Sequence, residues 1–275
     1  MAYSEELRIA SDLAVRAGAI LMDIYATEFT VEFKGAADPV TEADKLANEF
    51  LVTELRKAFP ADGIVAEETE DQSDALTRER CWYVDPLDGT KEFIAKNGEF
   101  AVMLGLAIQG QATVGAVYQP VRDKLFTGAV GGPATLRERG NERALTVSST
   151  STPRELKLVV SRSHRSSHID AFAKALGITE EHRSGSVGLK IGLIAEQVAD
   201  VYVHVSDKSS AWDACGPEAI LRAAGGRFAD LNGDDFRYGG ADMRNSRGIV
   251  ACNAATFDAV VQAARTAGTA AGLIS

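Results

Sequence analysis

A mixed α/β fold is predicted by three features of the 275-residue sequence. A long helical stripe opens the chain, an apolar hairpin pattern follows in the first half, and strand and helix patterns alternate through the second. Helices interleaved with strands imply layers in which helices cover sheet faces. The hairpin makes the sheets mixed rather than purely parallel. The length suits either one large domain or two closely packed halves.

The first helix is read over residues 4–26, where Leu7, Ala10, Leu13, Ala14, Ala17, Ile20, Leu21 and Ile24 fall at helical spacing. Pro39-Val40-Thr41-Glu42-Ala43-Asp44 opens a second helix. Thr41 with Asp44 three residues on has the form of a capping box, and Leu46, Phe50, Leu51 and Leu55 continue the stripe. Residues 63–66 and 82–84 read as short strands, the second ending in the turn vocabulary Asp85-Pro86-Leu87-Asp88-Gly89. Residues 100–108 and 112–118 form the hairpin, and 124–127 offer a third strand.

Beyond Gly131-Gly132-Pro133, the polar stretch from Arg137 to Thr152 is the candidate boundary. It divides an N-terminal α+β half, 1–140, from a C-terminal α/β half, 141–275. In the second half, 156–161, 200–205, 227–230 and 248–252 read as strands. Residues 167–176, 188–198, 212–224 and 256–267 read as helices. The chain shows no internal repeat and no low-complexity tract.

A net charge of −10 argues against binding a nucleic-acid polymer, because few cations are available to displace phosphate counterions. No apolar run approaches the roughly 18 residues of a membrane span, and the first residues lack the pattern of a signal peptide. Cys81, Cys215 and Cys252 are odd in number and widely spaced, so buried, reduced thiols are expected. Together these features predict a cytoplasmic protein.

Acidic residues collect at the ends of regular elements. Asp44 lies in the first turn of a helix, Glu67 and Glu68 end a strand, Asp85 and Asp88 end the next, and Asp213 follows Trp212 at a helix start. Taken singly, Asp44 and Asp213 could be helix caps and Asp88-Gly89 a turn. Brought together, such carboxylates would repel one another unless a cation intervened. Hard divalent ions such as Mg²⁺ prefer oxygen ligands of this kind. Gly89-Thr90 adds backbone N–H groups and a hydroxyl suited to a phosphate. The pattern therefore predicts metal-dependent phosphate chemistry.

Three ordered segments carry a resemblance: Glu67-Glu68, Asp85-Pro86-Leu87-Asp88-Gly89-Thr90, and Trp212-Asp213 followed by Ala224-Gly225-Gly226. They resemble the inositol monophosphatase superfamily of Mg²⁺-dependent, lithium-sensitive phosphatases, and the likeness spans nearly the whole chain. Lys91-Glu92-Phe93, Asn97-Gly98-Glu99-Phe100, Ser161-Arg162-Ser163-His164 and Gly185-Ser186-Val187-Gly188-Leu189-Lys190 are similar to the 3′(2′),5′-bisphosphate nucleotidase branch, which serves sulfur assimilation. Inositol monophosphatases usually have Thr-Asn where Lys91-Glu92 stand. The loop from Ser206 to Ser210 departs from the branch, and His204 stands near where some relatives place an arginine.

The resemblance implies a layered α-β-α-β-α sandwich of the sugar-phosphatase type. It implies two or three Mg²⁺ ions on Glu67, Asp85, the Leu87 carbonyl, Asp88 and Asp213. Asp44, Thr90 and Glu67 would serve the attacking water, and no phosphoenzyme would form. Gly89, Thr90, Ser161, His164, Ser186, Lys190 and Asp213 would meet a small phosphate monoester. The expected reaction converts 3′-phosphoadenosine 5′-phosphate to AMP and phosphate. Open alternatives are an inositol or other sugar phosphate as substrate, and a non-catalytic phosphate-binding module. Assembly as a homodimer also stays open.

Overall fold

The computed structural model describes residues 3–35, 38–70, 72, 74–163, 165–240 and 242–275. In chain order the first half holds α1 (Ser4–Tyr25), β1 (Val31–Gly35), β2 (Asp38–Thr41), α2 (Glu42–Ala58), β3 (Gly63–Ala66), β4 (Arg80–Asp88) and α3 (Thr90–Ile94). A run of strands follows: β5 (Ala101–Ile108), β6 (Gln111–Gln119), β7 (Lys124–Ala129), β8 (Ala134–Glu138) and β9 (Asn141–Leu145). The second half holds β10 (Lys157–Ser161), α4 (Ser167–Leu176), β11 (Glu180–Ser184), α5 (Val187–Ala195) and β12 (Val201–His204). It closes with α6 (Ala211–Ala223), β13 (Gly226–Ala229), β14 (Ile249–Asn253) and α7 (Phe257–Ala270).

Strands β3 to β9 form one seven-stranded sheet in sequence order, and the second half forms a five-stranded sheet in the order β11-β10-β12-β14-β13. Helices α1 and α2 pack together on the outer face of the larger sheet. Helices α5 and α6 fill the space between the sheets, and α4 with α7 covers the far face of the smaller one. The order of layers is therefore α-β-α-β-α, as expected. Each layer buries its apolar stripe: Leu13, Leu21, Leu51 and Leu55 of the outer helices meet Trp82, Val84 and Leu104 in one cluster. Cys81, Cys215 and Cys252 are buried free thiols. Among the described residues no helix is long and apolar enough to cross a membrane.

The polar stretch read as a boundary holds the end of β8 and the whole of β9. The β8–β9 hairpin turns at Gly140, so the division expected at residue 140 falls inside it, and the larger sheet continues to Leu145. Glu142, Arg143 and Ala144 lie exposed on the last strand of the sheet, which is why their composition reads as loop.

The close approach of α6 to the large sheet positions the site. A Cβ on Gly105 would stand 2.3 Å from the Gly216 nitrogen, and one on Gly115 would stand 2.1 Å from the Gly216 oxygen. Only glycines on both surfaces let the helix backbone lie directly on β5 and β6. That contact presses the first turn of α6, with Asp213, toward the end of β4.

Candidate active site

The segment read as a turn is a bulged strand. Asp85 pairs with Met103 and Asp88 with Ala101, so β4 spends one more residue than β5 over this interval. In a regular strand, residues three apart point to opposite faces. The extra residue changes that parity and turns Asp85 and Asp88 toward the same side. Pro86 is tolerated because the ladder is already broken at the bulge. Asp85 accepts a hydrogen bond from the Leu87 N–H at 2.9 Å, which fixes its rotamer.

Asp213 comes from the other side of the site. Its Oδ2 accepts the Ser210 N–H at 2.6 Å, so it caps α6 as a bland reading would have it. Capping nevertheless occupies a single oxygen. One carboxylate oxygen from each of Asp85, Asp88 and Asp213 lies within 4.8 Å of the others, a group able to hold a cation. Asp85 and Asp88 are buried. Burial, with the fields of Glu67, Asp88 and Asp213, holds the Asp85 carboxyl well above the usual range. Burial, then Asp88 and Glu67, does the same to Asp213. Glu67 sits at the rim: its N–H extends the β3 ladder to the Val84 carbonyl at 3.1 Å, and its charge acts on both acids.

Asp88 has a different environment. Burial raises its pKa, while Lys190, the Ser186 hydroxyl and the Gly188 N–H oppose the rise and Glu92 adds to it. Its Oδ2 accepts from the Gly188 N–H at 3.0 Å and from the Ser186 hydroxyl. Ser186 Oγ also accepts the Leu189 N–H at 3.1 Å, capping α5. Lys190 is buried, donates to the Gly185 carbonyl and lies 5.2 Å from the Tyr202 ring centroid. Ser186 and Lys190 are therefore packed behind Asp88, inside the protein.

Asp44 connects to the same site through Thr90. Its Oδ2 accepts the Thr41 N–H and the Thr41 hydroxyl, each at 2.7 Å, and the Thr90 hydroxyl lies 3.2 Å from its Oδ1. The same hydroxyl lies 3.3 Å from the Leu87 carbonyl. Burial, partly offset by Thr41 and reinforced by Glu68, moves the Asp44 pKa up to about 6. Gly89 adopts φ 99°, and a Cβ there would meet the Glu99 carbonyl at 3.0 Å, so glycine is required between Asp88 and Thr90. Ser161 ends β10, half-buried, opposite Ser184. His164 lies outside the described residues.

Two acids from the segments similar to the nucleotidase branch, Glu92 and Glu99, are held across the cleft. Glu92 is buried, and its Oε1 accepts the Ser163 hydroxyl at 2.5 Å. Glu99 receives two bonds of 2.6 Å from Arg162, and its carbonyl accepts the Ser186 N–H at 3.2 Å. Sequence gives no sign of this, because the partners lie more than 60 residues away.

Three carboxylates, two of them buried and one half-buried, stand beside Gly89-Thr90 in a five-layered sandwich, the arrangement that a phosphatase of the metal-dependent class needs. The profile of the inositol monophosphatase family matches residues 2–269. The chain is 36% identical over 231 residues to the 3′(2′),5′-bisphosphate nucleotidase CysQ of Salmonella typhimurium, covering 82% of this chain and 91% of that protein. It is 31% identical over 267 residues to inositol monophosphatase 3 of Solanum lycopersicum, covering 94% and 95%. The crystal structure of CysQ from Bacteroides thetaiotaomicron superposes with a TM-score of 0.78 at 28% identity, covering 92% of this chain and 98% of that one. The chain belongs to the inositol monophosphatase family and is a phosphoric monoester hydrolase.

Proposed function

We propose that this phosphatase removes the 3′-phosphate of adenosine 3′,5′-bisphosphate, giving AMP and phosphate, with Mg²⁺ as its cofactor. The substrate reading rests on the 36% identity to a CysQ nucleotidase across most of both chains. Glu67, Asp85, the Leu87 carbonyl, Asp88 and Asp213 would hold two or three ions. The donor set fits: it is all oxygen, and its carboxyls are pushed above their usual range by burial and then by the charge of neighbouring acids, a repulsion that a cation relieves. Bound there, Mg²⁺ supplies positive charge to the phosphoryl oxygens and raises the acidity of nearby water.

The chain's own residues do the rest. Asp44, poised near neutrality, takes a proton from the attacking water, and the Thr90 hydroxyl orients it. The Gly89 and Thr90 N–H groups face the phosphate. Water oxygen bonds to phosphorus as the bond from phosphorus to the 3′ oxygen breaks; with Asp213 on the ester side, that oxygen takes its proton from a solvent water, and Asp44 later returns the proton it took to solvent. Ser161 and His164 would contact the nucleoside. Ser186 and Lys190 would act on the substrate through Asp88, which both support from behind.

A phosphate-release panel in Mg²⁺ tests the reading. Adenosine 3′,5′-bisphosphate is expected to exceed inositol 1-phosphate by at least tenfold in kcat/KM, and millimolar Li⁺ is expected to inhibit. The reverse preference would establish the second reading, an inositol or sugar phosphatase, which the 94% coverage by the tomato enzyme favours.

A further inference from the structure

Ser163 lies in a place where α/β proteins bind ligands. Strand β10 sits between β11 and β12 and runs parallel to both. The chain leaves β10 through α4, on the outer face, to reach β11, then crosses through α5, between the sheets, to reach β12. Such a reversal opens a crevice at the carboxyl ends of the strands. Arg162 and Ser163 occupy that end of β10, and residues 185–188, which contact Asp88, follow the end of β11.

Glu92 links this crevice to the phosphate end. It lies two residues beyond Thr90 in α3, and its Oε1 accepts the Ser163 hydroxyl at 2.5 Å. Room for it comes from Gly185: a Cβ there would stand 2.5 Å from Glu92 Cγ. Lys190, which also faces Asp88, lies within the field of Glu92. Arg162, next to Ser163, is clamped by Glu99 through two bonds of 2.6 Å. Both acids come from the first half of the chain, and both groups they hold come from the second.

We propose that Glu92 positions the leaving-group wall of the active site. By holding Ser163 it sets the segment after β10 at a fixed reach from Thr90, and so favours esters large enough to touch that segment. Glu92 acts through Ser163 and is a positioning residue. The proposal rests on the nucleotide reading above and names the determinant of its selectivity.

The test compares kcat/KM for adenosine 3′,5′-bisphosphate with that for β-glycerophosphate, too small to span the crevice. Glu92→Ala and Ser163→Ala are each expected to lower this ratio about tenfold, the scale of one lost hydrogen bond to a charged group, chiefly through KM. The double variant is expected to fall no further than either single one. Glu92→Gln, which keeps an acceptor oxygen for Ser163, is expected to restore most of the ratio. An unchanged ratio in Ser163→Ala, a mild change that leaves the fold intact, would overturn the proposal. So would additive losses in the double variant, or a shift in the half-saturating Mg²⁺ that parallels the loss. Should wild type prefer inositol 1-phosphate, the nucleotide reading fails, and the same ratio taken with that ester still decides the role of Glu92.

Discussion

Asp44 divides its two oxygens between two tasks. Oδ2 closes the capping box of α2 by accepting two bonds from Thr41, while Oδ1 faces the Thr90 hydroxyl. The cap fixes the rotamer, so the second oxygen is aimed without loss of freedom at the moment of reaction. Asp213 repeats the device at α6, capping with one oxygen and joining the acidic group with the carboxylate's reach. Capping a helix therefore leaves either residue an oxygen free to face the cleft. Asp44→Asn keeps the shape and the cap acceptor but removes the proposed base. We expect kcat to fall about 10³-fold, the usual worth of a positioned base, while the Mg²⁺-induced rise in Tm survives. Turnover within tenfold of wild type would remove Asp44 from its role.

Two backbone devices build the site at the scale of elements: the bulge in β4 and the glycine contact beneath α6. Gly216→Ala drives a methyl to 2.7 Å from the Leu104 carbonyl and forces helix and sheet apart. A loss of about 1–3 kcal/mol is expected, read as a lowered urea midpoint, together with weaker Mg²⁺ dependence because Asp213 moves with the helix. An unchanged midpoint would show that the layers yield freely. Long elements were legible in the sequence because burial imposes a period: α1, α2 and the β5–β6 hairpin all announce themselves through apolar spacing. Strand β11, Glu180-Glu181-His182-Arg183-Ser184, carries no apolar residue and edges its sheet, so no period exists to be read. The acids of the site were legible by their places at element ends. Their geometry was not: Asp85-Pro86-Leu87-Asp88 has turn vocabulary, and only pairing with β5 makes it a bulge. Glu92, a charged residue in a short exposed-looking pair, is buried by a glycine and a serine from the other half, a fact no local window contains.

Across the whole molecule, both halves converge on a concentration of negative charge that opposes folding when no cation is bound. Asp85 and Asp213 have their carboxyls raised well above the usual range by burial and by the charge of neighbouring acids, Glu67 and Asp88 among them. A group whose folded pKa lies above its unfolded value favours the folded state below the unfolded pKa, near 4, and loses that contribution as pH rises through the folded value. The metal-free protein is therefore expected to lose stability from this source as pH climbs above about 4 toward the raised folded values. Asp85→Asn removes one charge while keeping an oxygen for the Leu87 N–H. In EDTA it should melt above wild type, by a few degrees at pH 8 and by less at pH 5. Added Mg²⁺ at 100 times its Kd should stabilise wild type by about 2.7 kcal/mol, because the ion binds only the folded chain, and should leave the variant nearly unmoved. Stability and activity would then separate in one residue: the variant gains the former in EDTA and loses the latter in Mg²⁺. Calorimetry across pH with and without Mg²⁺ decides it, and a variant that melts below wild type in EDTA at pH 8 would mean that the acids are not in conflict in the folded protein.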